Sequence, residues 1–152
     1  MMIAHLPAGY LLATGLDGRV ATLAFWGVLF GSIAPDLDML WFFFVDQGAS
    51  HHHGYITHRP AFWLFVLLAG VVTRNRFIAG AGVGALFHLL LDSIVGEIAW
   101  AWPISDATWP LVIVPATQNH WILSFLFHWT FLVELVVLAC AALVFISRRR
   151  VR

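Results

Sequence analysis

The run from Trp121 to Ser147, WILSFLFHWTFLVELVVLACAALVFIS, carries one acid, Glu134, and no base until it ends in RRRVR. About 20 consecutive apolar residues in a helix cross the hydrocarbon layer of a bilayer, so this run is long enough to span. No other feature constrains the fold as strongly. A soluble domain would have to wrap such a helix in other apolar surface and still present a polar exterior. The chain has little polar material for that exterior. It is 61% hydrophobic and 11% charged over 152 residues, where soluble domains are roughly 25% charged. The sequence therefore predicts an all-α integral membrane protein, one helical domain over residues 1–152.

The same reasoning gives about five apolar helices, near 3–16, 19–34, 60–73, 76–95 and 121–147, with a short apolar piece at 37–45 past Pro35. The first and third fall short of a full span, and the first is expected to be tilted or partly re-entrant. Arginine placement orients them. Arg19 lies between the first two segments, Arg74 and Arg76 between the third and fourth, and Arg148, Arg149, Arg150 and Arg152 after the fifth. With these ends cytoplasmic, seven of eight arginines lie inside, as the positive-inside rule expects. The C-terminus is then cytoplasmic in a multi-pass protein. Residues 35–59 and 92–120 face outward. Arg19 is the first basic residue, so no cleaved signal peptide is expected. The single cysteine, Cys140, excludes an intrachain disulfide and a cysteine-based metal cage, and is expected to pack near the inner end. No basic face forms away from the membrane ends, which argues against nucleic acid as a partner.

Nearly all the unusual chemistry falls on the outer side. Asp36 and Asp38, in GSIAPDLDML, sit between apolar runs where each ionised carboxylate is costly to bury. Capping of the helix that starts near Leu37 accounts for one of them. A bound dication would offset both charges. His88 and Asp92, in GALFHLLLDS, are four apart and share a helix face. They are either ligands of one metal or of adjacent metals, or a pair that ties helices together. HHHGYITH brings His53 and His58 with Gly54 between them, a residue that lets the chain turn so that two imidazoles face one point. His51 and His52 are read as an exposed loop, and His58 as a ligand. His5 is a ligand or an interfacial residue. His120, His128 and Glu134 have open roles. Trp100, Trp102 and Trp109, with three prolines in EIAWAWPISDATWPLVIVPA, suit a non-helical cover at the lipid interface. Histidine and carboxylate donors without thiolate fit zinc, with manganese or iron as alternatives, and the number of donors allows one or two ions.

At these residues the chain resembles the YdjM-like family of LexA-regulated, inner-membrane, metal-dependent hydrolases. AHLPAGYLL resembles the family's opening histidine segment. GSIAPDLD resembles its G-S-x-x-P-D-x-D motif, HGYITH its H-R-G-x-T-H motif, and GALFHLLLDS its S-H-x-x-L-D stretch. The likeness covers roughly residues 1–105. It implies His5, Asp36, Asp38, His53, His58, His88 and Asp92 as metal-site positions, and an inner-membrane location. Gly54 and Tyr55 stand in place of the family's Arg-Gly, and Phe87 in place of its serine. The family is itself similar to zinc-dependent phospholipases C, which implies phosphoester chemistry.

The expected function is membrane-embedded hydrolysis of a phosphoester in a lipid or lipid-linked substrate by metal-activated water. Asp36 or Asp38 would orient that water or accept its proton, and Arg59 or a second metal would stabilise developing charge. The alternative is a non-catalytic divalent-metal-binding membrane protein, a transporter or sensor. A transporter needs a polar path toward the inner side, and the inner halves of these segments are almost purely apolar.

Overall fold

A computed structural model of the chain describes residues 3–16, 22–47 and 51–150. Arg19 and Arg152, two of the arginines used to orient the segments, lie outside the described residues. Among those described, the regular structure is entirely helical. The α-helices are α1 (His5–Gly15), α2 (Thr22–Gly31), α3 (Asp38–Phe44), α4 (Pro60–Val72), α5 (Arg76–Asp92), α6 (Trp121–Leu126) and α7 (Trp129–Arg150). Single 3-10 turns cover Pro35–Leu37, His52–Gly54 and Ile56–His58.

The packing is held by small residues. Among the described residues, eight of the thirteen buried apolar ones are alanine, while Phe65, Val72 and Phe44 are 70%, 81% and 79% exposed. A soluble protein would place large side chains inside. Helices surrounded by lipid gain nothing by hiding leucine from a solvent as apolar as leucine, so small residues collect where backbones meet. The centre is α5. On one side Gly80 and Gly84 meet α2, which answers with Gly27 and Gly31. A Cβ on Gly31 would stand 2.0 Å from the Ala81 carbonyl oxygen, and one on Gly84 2.2 Å from that of Val28. On the opposite side Gly82 admits Leu67 and Gly70 admits Ala79, both contacts with α4.

These contacts fix direction. α2 runs parallel to α5, with Ala24 beside Gly80 and Ser32 beside Gly84, while α4 runs antiparallel to it. α1 opposes α2, with Gly9 against Ser32 and Tyr10 edge-on to Phe25. α7 lies parallel to α1: Glu134 meets the start of α1, and Arg148 donates to the Thr14 carbonyl near its end at 3.2 Å. One end of the bundle therefore gathers His5, Asp36, His58, His88 and Asp92. Arg74, Arg76 and Arg148 lie at the other.

The expectation of about five apolar helices is met in part: each segment holds a helix, but most are too short to span. By length and composition α7 is the one described helix able to cross a membrane unaided. A second candidate forms if α2 and Pro35–Phe44, bent by 48°, count as one element. Turns cut the remaining apolar segments short, to 11 residues in α1, 13 in α4 and 17 in α5. Asn75 starts α5 by accepting from the Phe77 and Ile78 amides, and Arg74 reverses the chain at φ 55°. This break falls where the sequence placed it, between the third and fourth segments at Arg74 and Arg76. The segment 97–116 is non-helical, as its tryptophans and prolines suggested. It is pinned back by the Trp100 indole, which donates to Ser93 Oγ at 2.8 Å, and by the Leu111 amide on the Ser93 carbonyl at 2.9 Å. Cys140 was expected to pack but lies exposed on α7.

Candidate metal centre

Four chain segments converge at the histidine end. His88 and Asp92 share one face of the last turns of α5, and His88 Nε2 stands 2.9 Å from Asp92 Oδ2. The close α2–α5 packing brings the Ser32 carbonyl to His88 Nδ1 at 2.9 Å. That bond keeps the proton on Nδ1 and turns Nε2 inward. Past α2 the chain bends at Pro35, and Asp36 points one carboxylate oxygen at His88 Nε2 (3.5 Å) and His58 Nε2 (3.7 Å). His5, the first residue of α1, stacks on His88 with ring centres 3.7 Å apart. Its Nε2 lies 3.0 Å from Asp92 Oδ1 and its Nδ1 3.5 Å from Asp36 Oδ2. Asp36 and Asp92 thus each turn one oxygen toward the His58–His88 side and the other toward His5.

His58 is set by its neighbours. Its Nδ1 donates to Asp38 Oδ2 at 2.7 Å, and the Thr57 hydroxyl donates to the same oxygen. Thr57 is anchored in turn by the Trp63 indole, which donates to its carbonyl at 2.6 Å. Burial alone would lower the His58 pKa, but the Asp36 and Asp38 carboxylates beside it outweigh that and raise it to about 9. In His53, burial and the adjoining His52 push the pKa down to about 3.

Asp36, His58, His88 and Asp92 form a group whose ligand atoms all lie within 4.8 Å of one another, and they could hold a metal ion. Both His5 ring nitrogens, His58 Nε2 and His88 Nε2 are buried without a hydrogen bond. Carboxylate oxygens lie at 2.9–3.7 Å from them, so the spacing is short but not aligned for hydrogen bonding. Buried imidazole nitrogens seldom stay unbonded. Three imidazoles and two carboxylates pointing inward are the donors a divalent transition metal takes, and the residues fit such an ion.

The sequence-derived positions separate here. His5, Asp36, His58, His88 and Asp92 come together. His53 stands at the edge, its Nε2 3.9 Å from Asp92 Oδ2. Asp38 lies outside the four-residue group, behind His58, where its bonds orient that ring. The Arg59 guanidinium donates to the Gly54 carbonyl at 3.2 Å, reaches Asp106 at 3.7 Å and lies over the Trp102 ring at 5.9 Å. His52, read as part of an exposed loop, is half-buried and joins His53 and His58 in a second possible metal-holding group. His120 caps α6 by accepting from the Ile122 amide, and His128 pairs with Thr130; neither belongs to a metal-holding group. Glu134, fully buried, accepts from the Ile3 and Ala4 amides at 2.7 and 3.1 Å and ties the start of α1 to α7.

Sequence reasoning gave no role to Ser32, Thr57 or Gly96. The first two lie inside the quoted motifs, beside the ligand candidates, and their neighbours drew the attention. Gly96 packs under His53, where a Cβ would stand 2.5 Å from Cε1. Gly54 has open space around it and no positive φ, so the turn between the histidines does not depend on glycine. Two 3-10 turns around an extended Tyr55 make that bend instead.

A family model described as YdjM inner membrane protein matches residues 1–151, and the chain belongs to that family. No curated protein and no solved structure matches it. Membership and the long apolar α7 together make it a membrane protein with a buried group able to hold a metal.

Proposed function

We propose that this member of the YdjM inner membrane protein family is a metal-dependent hydrolase, acting on a phosphoester in a lipid or lipid-linked substrate. The observation that carries the reading is the set of buried, unbonded imidazole nitrogens of His5, His58 and His88 around Asp36 and Asp92. His58, His88, Asp36 and Asp92 would hold one divalent ion, and His5 with the second oxygens of both carboxylates leaves room for another. Zinc suits the donors best, with manganese or iron as alternatives. Such an ion, when bound, acidifies water and polarises a phosphoryl oxygen.

The chain's own residues do the rest. Ser32 and Asp38 fix the tautomers of His88 and His58 through their Nδ1 atoms, the usual role of outer partners in a metal site. Asp36 is 39% exposed where Asp92 is 3%, so Asp36 marks the side from which water and substrate arrive. It is the carboxylate suited to accept a proton there. Arg59, on the chain segment leaving His58, offers a planar fork to a phosphate at the edge of the cover.

The membrane arrangement belongs to the same proposal. The metal-site histidines lie at one end of the bundle and Arg74, Arg76 and Arg148 at the other, which fits a multi-pass protein with Arg74, Arg76 and the C-terminus cytoplasmic and the metal site at the outer face. The short helices would then share the bilayer with α7.

The deciding experiment incubates metal-loaded protein with lipid phosphoesters and with lipid amides, with and without chelator. Chelator-sensitive release of phosphate or headgroup is the expected result. Asp38→Asn should retain the fold and lose most of that activity, since the neutral amide no longer holds His58 as a carboxylate does. Arg59→Lys should impair phosphoester cleavage more than amide cleavage. Metal flux into proteoliposomes, with no bond cleaved across the panel, would replace this reading with a transporter.

A further inference from the structure

The imidazoles at this end of the bundle form a file from surface to interior. Ring centres step 4.0 Å from His52 to His53, 5.0 Å from His53 to His58, 5.7 Å from His58 to His88 and 3.7 Å from His88 to His5. Burial grades along it. His52 is half-buried, the His53 side chain is 13% exposed, and His58 and His88 are fully buried. His58 belongs to both possible metal-holding groups, the outer one of His52, His53 and His58 and the inner one of Asp36, His58, His88 and Asp92.

The two groups differ in charge. The outer one offers three imidazoles and no carboxylate; the inner one adds two carboxylates. A dication is therefore drawn inward, because the interaction with carboxylate charge strengthens as water is left behind. Sharing makes the groups successive rather than simultaneous. His58 Nδ1 is already committed to Asp38, which leaves it one nitrogen to give. His52 has no place in the six-residue motif HGYITH, so its position beside His53 needs a reason of its own.

We propose that His52, His53 and His58 form an outer histidine site that captures a divalent transition-metal ion and hands it through His58 to the buried carboxylate-containing group. This rests on the buried group being the resident metal site. Gly96 is part of the device, because its missing side chain lets the His53 ring lie against α5's end. The Phe42 ring, 6.1 Å from that of His52, backs the outermost imidazole. His51 is exposed and outside the group.

The test is rapid mixing of the purified full chain, stripped by chelator, with Co²⁺, followed through its visible absorption. Wild type should show a fast phase, from histidine coordination, that converts to a slower final spectrum. His52→Ala should lose the fast phase and load several-fold more slowly. Its final spectrum and metal stoichiometry should match wild type. His52→Phe keeps an aromatic ring against Phe42 and removes the nitrogens, so it should behave like His52→Ala even if alanine disturbs the loop. His51→Ala should load like wild type. Unchanged loading in both His52 variants overturns the proposal. So does a lost final spectrum in His52→Phe, which would make His52 a resident ligand. Wild type that takes up no Co²⁺ removes both this proposal and the metal site. Two-phase loading without any lipid hydrolysis leaves the relay standing and removes the hydrolase alone.

Discussion

His58 is the residue on which the site turns, and its protonation gives a clear pH signature. In metal-free protein the ring is held as a cation by Asp36 and Asp38, with its pKa raised from 6.5 to about 9. A raised folded pKa contributes stability that is complete below the unfolded value of 6.5 and is lost as pH rises through 9. The metal-free melting temperature should therefore fall across that window, and metal-loaded protein should not show the fall, because a ligating imidazole is already neutral. Thermal scans at intervals from pH 6 to roughly 9.5 measure it; a flat metal-free profile removes the His58–carboxylate pairing. Much of this residue was legible beforehand, since a histidine beside the start of an apolar span is unusual. The division of labour between Asp36 and Asp38 was not. Two carboxylates two apart look equivalent in sequence, and only the 3-10 turn at Pro35–Leu37 sends one toward the imidazole nitrogens and the other behind His58.

At the scale of elements, the α2–α5 contact sets the site by controlling how near Ser32 comes to His88. Gly31→Ala would put a methyl group 2.0 Å from the Ala81 carbonyl oxygen, a backbone atom that cannot swing away. The helices must part, and the bond from His88 Nδ1 to Ser32 lengthens with them. Overpacking of this kind typically costs about 1–3 kcal/mol, so Gly31→Ala should lower both melting temperature and metal content. Gly15→Ala is the control, because nothing lies within 4 Å of its Cβ position. Thermal melts and metal analysis of the two purified variants check this; equal behaviour would show that helix spacing does not govern the site. The glycine pairs could be counted in the sequence, at spacings of four, but which helix each faced could not. That depends on α2 running parallel to α5, a relation between segments some fifty residues apart that periodicity does not encode.

For the whole molecule, the sequence made the class plain and the number of full spans less so. An apolar fraction of 61% says that lipid surrounds the chain, yet it counts every greasy stretch alike, whether or not the helix within it is long enough to cross. Sidedness can be tested directly. In a Cys140→Ala background, Ile104→Cys in the cover should be labelled by an impermeant thiol reagent from outside intact cells, and Thr73→Cys at the arginine end only after permeabilisation. Ile104 is 94% exposed and Cys140 is the sole native thiol, so the signal is unambiguous. Labelling in the reverse sense inverts the proposed topology. The shortness of the helices has a further consequence for the lipid itself. At 1.5 Å per residue, α1, α4 and α5 reach only about 16, 20 and 25 Å, against a hydrocarbon thickness of roughly 30 Å. On the proposed topology this is negative hydrophobic mismatch, which local thinning of the bilayer around the protein would relieve. Phospholipids in the thinned region would sink their headgroups toward the histidine end. The leaflet would then carry its polar linkages down to the metal site, without any lipid having to be pulled out of it.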